Sequence, residues 1–201
     1  MREYIASLRW LDYFYFIFTE PRKLVDLIRK EGREALVVSV VGLALVALAD
    51  VLSASLIARQ TPFFFTKITY GWILGYLVLC LEVLALGFVL DGACQLAGHA
   101  GSAKSMLTTV AFALFPRALL LPAIFIFRVV GFAPVFFYVL MSMALMLWSA
   151  IIIIQGISET HQVQFSRAVF IFAVPFVTVA VAVVLATVLL VMTAAGYVAA
   201  L

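Results

Sequence analysis

Three ionisable side chains, Asp50, Glu82 and Arg117, fall inside long apolar runs. A charge left facing lipid at the middle of a helix costs about 2.5–3.5 kcal/mol on an insertion scale, so each is expected to turn inward and find a partner. Counted from the inner ends of their runs, Glu82 is about eight residues deep, Arg117 about eleven and Asp50 about fifteen; at about 1.5 Å per residue both acids come within roughly 6 Å of Arg117 in height. One guanidinium can therefore bridge both carboxylates. Two acids against one base leave one carboxylate without a counter-charge, and that group needs a proton, a cation or water. One chemistry that follows is a site for an ion, a proton or an anionic headgroup, with Arg117 as the fixed charge and the acids as titratable or metal-facing groups. The other is a buried bridge that fixes helix register. Pro116 belongs to the same group, because a proline inside a helix frees carbonyls near Phe112 and Ala113, and Pro122 repeats the defect. Broken helices at membrane depth often line cavities.

A second set of chemical groups lies at the borders of the runs: Asp91, His99, Glu159 and His161. The expected topology puts them on two inner loops of one face, where acid and imidazole ligands can hold a divalent metal if they converge. Their spacing matches no metal signature, so solvated loop side chains are the plainer expectation, and no cofactor is expected. Cys80 and Cys94 have no C-x-x-C partner and read as small packing residues. The chain contains no H-E-x-x-H, G-x-S-x-G, Walker or G-x-G-x-x-G motif, and an enzyme is not expected. Asp91-Gly92 matches a fragment of a metal-dependent headgroup-transfer motif, but position 88 is Phe where an acid is needed.

The elements that must position these groups are read from hydropathy. The 201 residues are 67% hydrophobic and 11% charged, with a mean hydropathy of +1.23, far from the soluble range of about 45–50% apolar and about 25% charged. Apolar runs of about 20 residues span a bilayer core. They occur at about 35–58, 70–90, 106–128, 134–157 and 168–192, which predicts an all-α bundle of five transmembrane helices over 35–201 behind an arm over 1–34. Gly131 and Pro134 make the third and fourth runs a tight antiparallel hairpin. Nine cations (Arg2, Arg9, Arg22, Lys23, Arg29, Lys30, Arg33, Lys104, Arg167) flank one side and three (Arg59, Lys67, Arg128) the other, which predicts N-in and C-out. A net charge of +3 with no basic stripe fits orientation in a membrane and argues against nucleic acid.

Within the arm, Trp10, Tyr13, Phe14, Phe16 and Phe18 form an aromatic patch. Asp12 and the lack of a small-residue cleavage site argue against a removed signal peptide. Pro21 opens a short helix, Arg22 to Lys30, with Leu24, Val25 and Ile28 on one side, the pattern of an amphipathic helix lying in an anionic interface, with a short soluble helix packed on the loops as the alternative. Phe63, Phe64 and Phe65 with Tyr70 are expected in the outer aromatic belt. Gly71 and Gly75 form G-x-x-x-G, a packing face for a neighbouring helix or for a second copy of the chain.

Thr19-Glu20-Pro21-Arg22-Lys23, the stretch from Gly98-His99 through Gly101-Ser102-Ala103-Lys104, Pro116, Gly156-Ile157-Ser158-Glu159-Thr160-His161 and Phe165-Ser166-Arg167-Ala168 occur in an order that resembles the Yip1 domain family of five-span membrane proteins. The resemblance implies a cytoplasmic N-terminus and a non-enzymatic role as scaffold or accessory subunit for transport or trafficking partners. Eukaryotic members bind Rab GTPases and act between endoplasmic reticulum and Golgi; some bacterial members accompany ABC exporters. This chain lacks the long N-terminal arm and acidic Gly-Pro motif of the eukaryotic branch, which points to a bacterial inner membrane before an ER or Golgi one. The resemblance implies a membrane protein partner such as an ABC exporter; hydropathy adds membrane lipids, and the glycine face a homo-oligomer. The alternative from the residues alone is a small transporter or ion-binding protein built on Asp50, Glu82 and Arg117.

Overall fold

In the computed structural model residues 9–57, 64–131 and 134–199 are described, and every regular element among them is helical. Backbone groups in runs this apolar have no partner outside their own segment, and only a helix satisfies them there. The order is α1 (Arg9–Thr19), α2 (Pro21–Glu31), α3 (Arg33–Ile57), α4 (Phe64–Leu96), α5 (Ala103–Ala113), a 3₁₀ turn (Phe115–Leu119), α6 (Leu120–Val130), α7 (Pro134–Thr160) and α8 (Phe165–Ala199). Five segments are long and apolar enough to cross a bilayer: Arg33–Leu56, Ile68–Leu96, Ala103–Val130, Val135–Thr160 and Phe165–Thr193. The expected set of five is present. Phe63 and Arg59 lie outside the described residues, as do the side chains of Phe64, Phe65 and Lys67, Arg2, Arg9 and the tail from Ala194.

The third span is two helices joined by a turn. Pro116 has no N–H to donate and its ring crowds the carbonyl four residues back, so the chain tightens into the 3₁₀ turn. The helix restarts at Leu120, which leaves Pro122 in the first turn of α6, where a missing N–H breaks no ladder bond. The tip of the Phe115 ring meets Gly42 of α3, where a Cβ would stand 1.9 Å from Cζ. The hairpin into α7 is as expected: Gly131 closes α6 at φ 74, a left-handed value that glycine takes without steric cost, and Phe127 stacks on Phe137 at 4.2 Å.

The arm packs in a different way from the interfacial reading. Leu24, Val25 and Ile28 are 0%, 2% and 1% exposed, because α5 and α7 cover the apolar face of α2. That face is therefore not free to lie in an anionic interface; protein occupies the place assigned to lipid. The uncovered apolar surface of the arm is on α1, where Trp10 and Tyr15 are 48% and 61% exposed and Leu11 and Phe18 flank them. Tyr13 and Ile17 point the other way into the core. Tyr13 stacks on Phe112 at 5.0 Å, Phe14 meets Phe115 at 5.4 Å, and Trp148 Nε1 donates to the Ile17 carbonyl at 3.1 Å. The Tyr13 hydroxyl also donates to Glu31.

Helix α8 is joined to the bundle through its first turns. Ala168 is buried, Ile171 and Phe172 pack partly on the core, and the described residues beyond Phe176 are all exposed. Only 6% of its most apolar stretch is buried, against 50% for the third span.

Candidate functional site

Arg117 comes from the 3₁₀ turn that Pro116 creates, which swings its side chain toward α4. Its guanidinium forks onto Glu82, with Nη2 donating to Oε1 at 3.0 Å and Nη1 to Oε2 at 3.4 Å. The planar fork matches the carboxylate in two places, and the pair gains strength from its low-dielectric surroundings. The expected bridge to both acids does not form. Among the described residues Asp50 makes no hydrogen bond or ion pair, although its carboxyl lies in the field of both Arg117 and Glu82. Height placed all three groups at one level; the rotation of α3 decides which carboxylate meets the fork.

Asp50 instead lines a cavity of about 460 Å³ between α3, the third span and α7, with Arg117, Tyr138, Ser142 and apolar neighbours including Leu145. Ser142 Oγ is buried there without a partner. Tyr138 and Ser142 complete the polar lining, and the sequence reading missed them. Their signal was present as two hydroxyls four residues apart on one apolar span, which places them on one helix face.

The second set of candidates gathers at the end of the bundle where α4 and α7 stop. Asp91 and Glu159 sit on those helices and not on loops, since α4 continues through Gly92 to Leu96 and α7 to Thr160. The Asp91 and His161 side chains are buried and face one another, Oδ1 to Nε2, at 3.3 Å, without hydrogen-bond alignment. Gln95 Nε2 donates to the other Asp91 oxygen at 2.7 Å. His161 Nδ1 lies 3.3 Å from the His99 carbonyl oxygen, so His99 meets its fellow histidine through its backbone. Glu159 turns away to Arg22 of α2 at 3.8 Å, an exposed pair of little energetic weight. Among the described residues no three His, Cys, Asp or Glu side chains converge as metal ligands. Asp91 and His161 come together, while His99 and Glu159 contribute no ligand to them.

Gly101 is packed against the His161 ring, where a Cβ would stand 2.2 Å from Nδ1. Gly156 faces Thr109 of α5. Three segments far apart in sequence, around Arg22, Gly98–Ser102 and Gly156–His161, thus form one polar end. Gly71 and Gly75 face Val51 of α3, at 3.5 and 3.8 Å from a built Cβ, and Trp72 Nε1 donates to the Ala44 carbonyl at 2.8 Å. That glycine pair serves packing within the chain.

No curated protein and no solved structure matches the chain. The family model described as Yip1 domain matches residues 15–195, from within α1 to near the end of α8, and takes in all three segments of the polar end. The chain is an integral membrane protein that belongs to the Yip1 domain family.

Proposed function

We propose that the chain is a non-enzymatic scaffold or accessory subunit that engages another membrane protein through its last span. The observation that carries this reading is α8, a helix of 35 residues anchored by its first turns and exposed along the rest of its described length. A span built to close a substrate path is held on several sides by its neighbours; this one leaves its surface to lipid or to a partner. Thr178, Ala182 and Ala186 recur at four-residue spacing on one side, where small side chains let a second helix approach. The hydroxyls of Thr178 and Thr187 are satisfied by the carbonyls of Val174 and Val183, so they do not force a polar partner. An ABC exporter and a second copy are both of the chemistry this face accepts.

The test places a photo-crosslinking residue in turn at Ala182, Leu185 and Val188 in native membranes. A discrete protein adduct from one side of the helix supports the scaffold; lipid adducts alone from all three positions remove it. A second reading is favoured by the cavity at Asp50, whose carboxylate remains unpartnered while Arg117 is occupied by Glu82. Under that reading, proteoliposomes pass a monovalent cation and Asp50→Asn abolishes the flux.

A further inference from the structure

We propose that the polar end of the bundle binds a phosphoryl group, either the headgroup of an acidic phospholipid or a free phosphate compound. A cavity of about 390 Å³ opens there between α2, the loop before α5 and the turn after α7. Its polar lining is Arg29, Ser102, Ser105, Thr160 and Gln162, and Ala100 and Gly101 supply backbone. Among the described residues no acidic side chain lines it.

The residue types are those of an oxyanion site. Arg29 offers a planar set of charged donors, and the two serines and the threonine offer hydroxyls. Thr160 lines the cavity, and its Oγ1, closed off from solvent, has no hydrogen-bond partner among the described residues, so an unpartnered hydroxyl lies in the cavity wall. Ser102 caps α5, and the unpaired N–H groups of that first turn add positive partial charge at the same place. Lys104 adds a cation nearby, its Nζ close to Gly32, three residues after Arg29. Two carboxylates of this end face other groups: Glu159 faces Arg22 and Asp91 faces His161.

Gln162 is held at φ 53, a left-handed value at a helix end where glycine is usual. Its Nε2 donates to the Glu159 carbonyl at 2.8 Å, and its side chain lines the cavity. Gln162→Gly therefore separates the two roles. It relieves backbone strain while removing one donor from the site.

The detergent-purified full chain is titrated separately with inorganic phosphate, dihexanoyl phosphatidic acid and dihexanoyl phosphatidylcholine, with bound mass read by native mass spectrometry. Saturable binding of phosphatidic acid is expected, weakened about tenfold by Arg29→Gln and about threefold by either Thr160→Val or Gln162→Gly, the scale of one lost charged or neutral hydrogen bond. Arg128→Gln, at the opposite end of the bundle, stays within about twofold of the parent chain. Phosphatidic acid bound well above inorganic phosphate identifies a lipid headgroup, and equal binding of the two identifies the phosphoryl group alone. Equal binding of phosphatidylcholine and phosphatidic acid overturns the proposal. So does the absence of saturable binding, or an Arg29→Gln chain that folds and binds as the parent does.

Discussion

At the scale of single residues, Glu82 and Arg117 behave as one unit and Asp50 as another. Each member of the pair keeps 31% of its side chain exposed, so the ion pair lies between the weak surface case and the strong buried case. Removing one partner strands the other charge at membrane depth; removing both strands nothing. Glu82→Gln and Arg117→Gln are each expected to lower the melting temperature of the purified chain more than the double replacement does, with a coupling of about 1–2 kcal/mol in the double-mutant cycle. Asp50→Asn removes an uncompensated carboxylate and is expected to hold or raise the melting temperature. Additive losses in the cycle would show that the fork contributes no coupling. Counting residues from the run ends revealed which groups share a height, because rise per residue is fixed. It did not reveal that Asp50 is left out, because the apolar residues around α3 give its rotation no phase. Tyr138 and Ser142 were hidden for a related reason: hydroxyls are common in spans and attract notice only once a cavity joins them.

At the scale of elements, the uncovered apolar face of the arm is on α1 and not, as expected, on α2. The pattern of α2 is strongly amphipathic, and amphipathicity announces a face to be covered without naming what covers it. Protein covers it, through α5 and α7, which leaves the aromatic face of α1 as the uncovered one. Tyr13 and Phe14 reach Phe112 and Phe115, about ten residues beyond the start of α5, so α1 sits roughly 15 Å below the polar end at helical rise. Trp10 is therefore expected to touch acyl chains. In a single-tryptophan chain, with Trp72→Phe and Trp148→Phe, lipids brominated along their acyl chains are expected to quench Trp10 emission strongly and aqueous iodide to quench it weakly. The reverse ranking would put the exposed face of α1 in water. The break in the third span was more legible, since Pro116 can be read as a defect from its chemistry alone. Its form as a 3₁₀ turn depends on the ring of Phe115 finding Gly42, a contact between residues 73 positions apart that no local pattern encodes.

At the scale of the whole molecule, the five spans, α8 among them, were legible because bilayer thickness sets a minimum apolar length, while the loose packing of α8 was not, because a helix that is apolar all round reads the same when buried as when bathed in lipid. The contacts do fix which connections share an end. His161 beside the His99 carbonyl places the loop before α5 and the turn after α7 together, and Glu159 beside Arg22 adds α2 to that end. Gly131, after α6, lies at the other end, where Arg128 donates to the Leu56 carbonyl at the close of α3. The distribution of Lys and Arg predicts that this end faces the cytoplasm, where cations are retained. Single cysteines introduced at Gly98 and Gln162 in a chain carrying Cys80→Ala and Cys94→Ala are accordingly expected to resist a membrane-impermeant maleimide in intact cells, and one at Gly131 to react. Reaction at Gly98 and Gln162 with protection at Gly131 would invert the molecule and move the phosphoryl cavity to the outer leaflet. Opposite reactivity of Gly98 and Gln162 would break the shared end itself, and with it the convergence of the three segments on which that cavity depends.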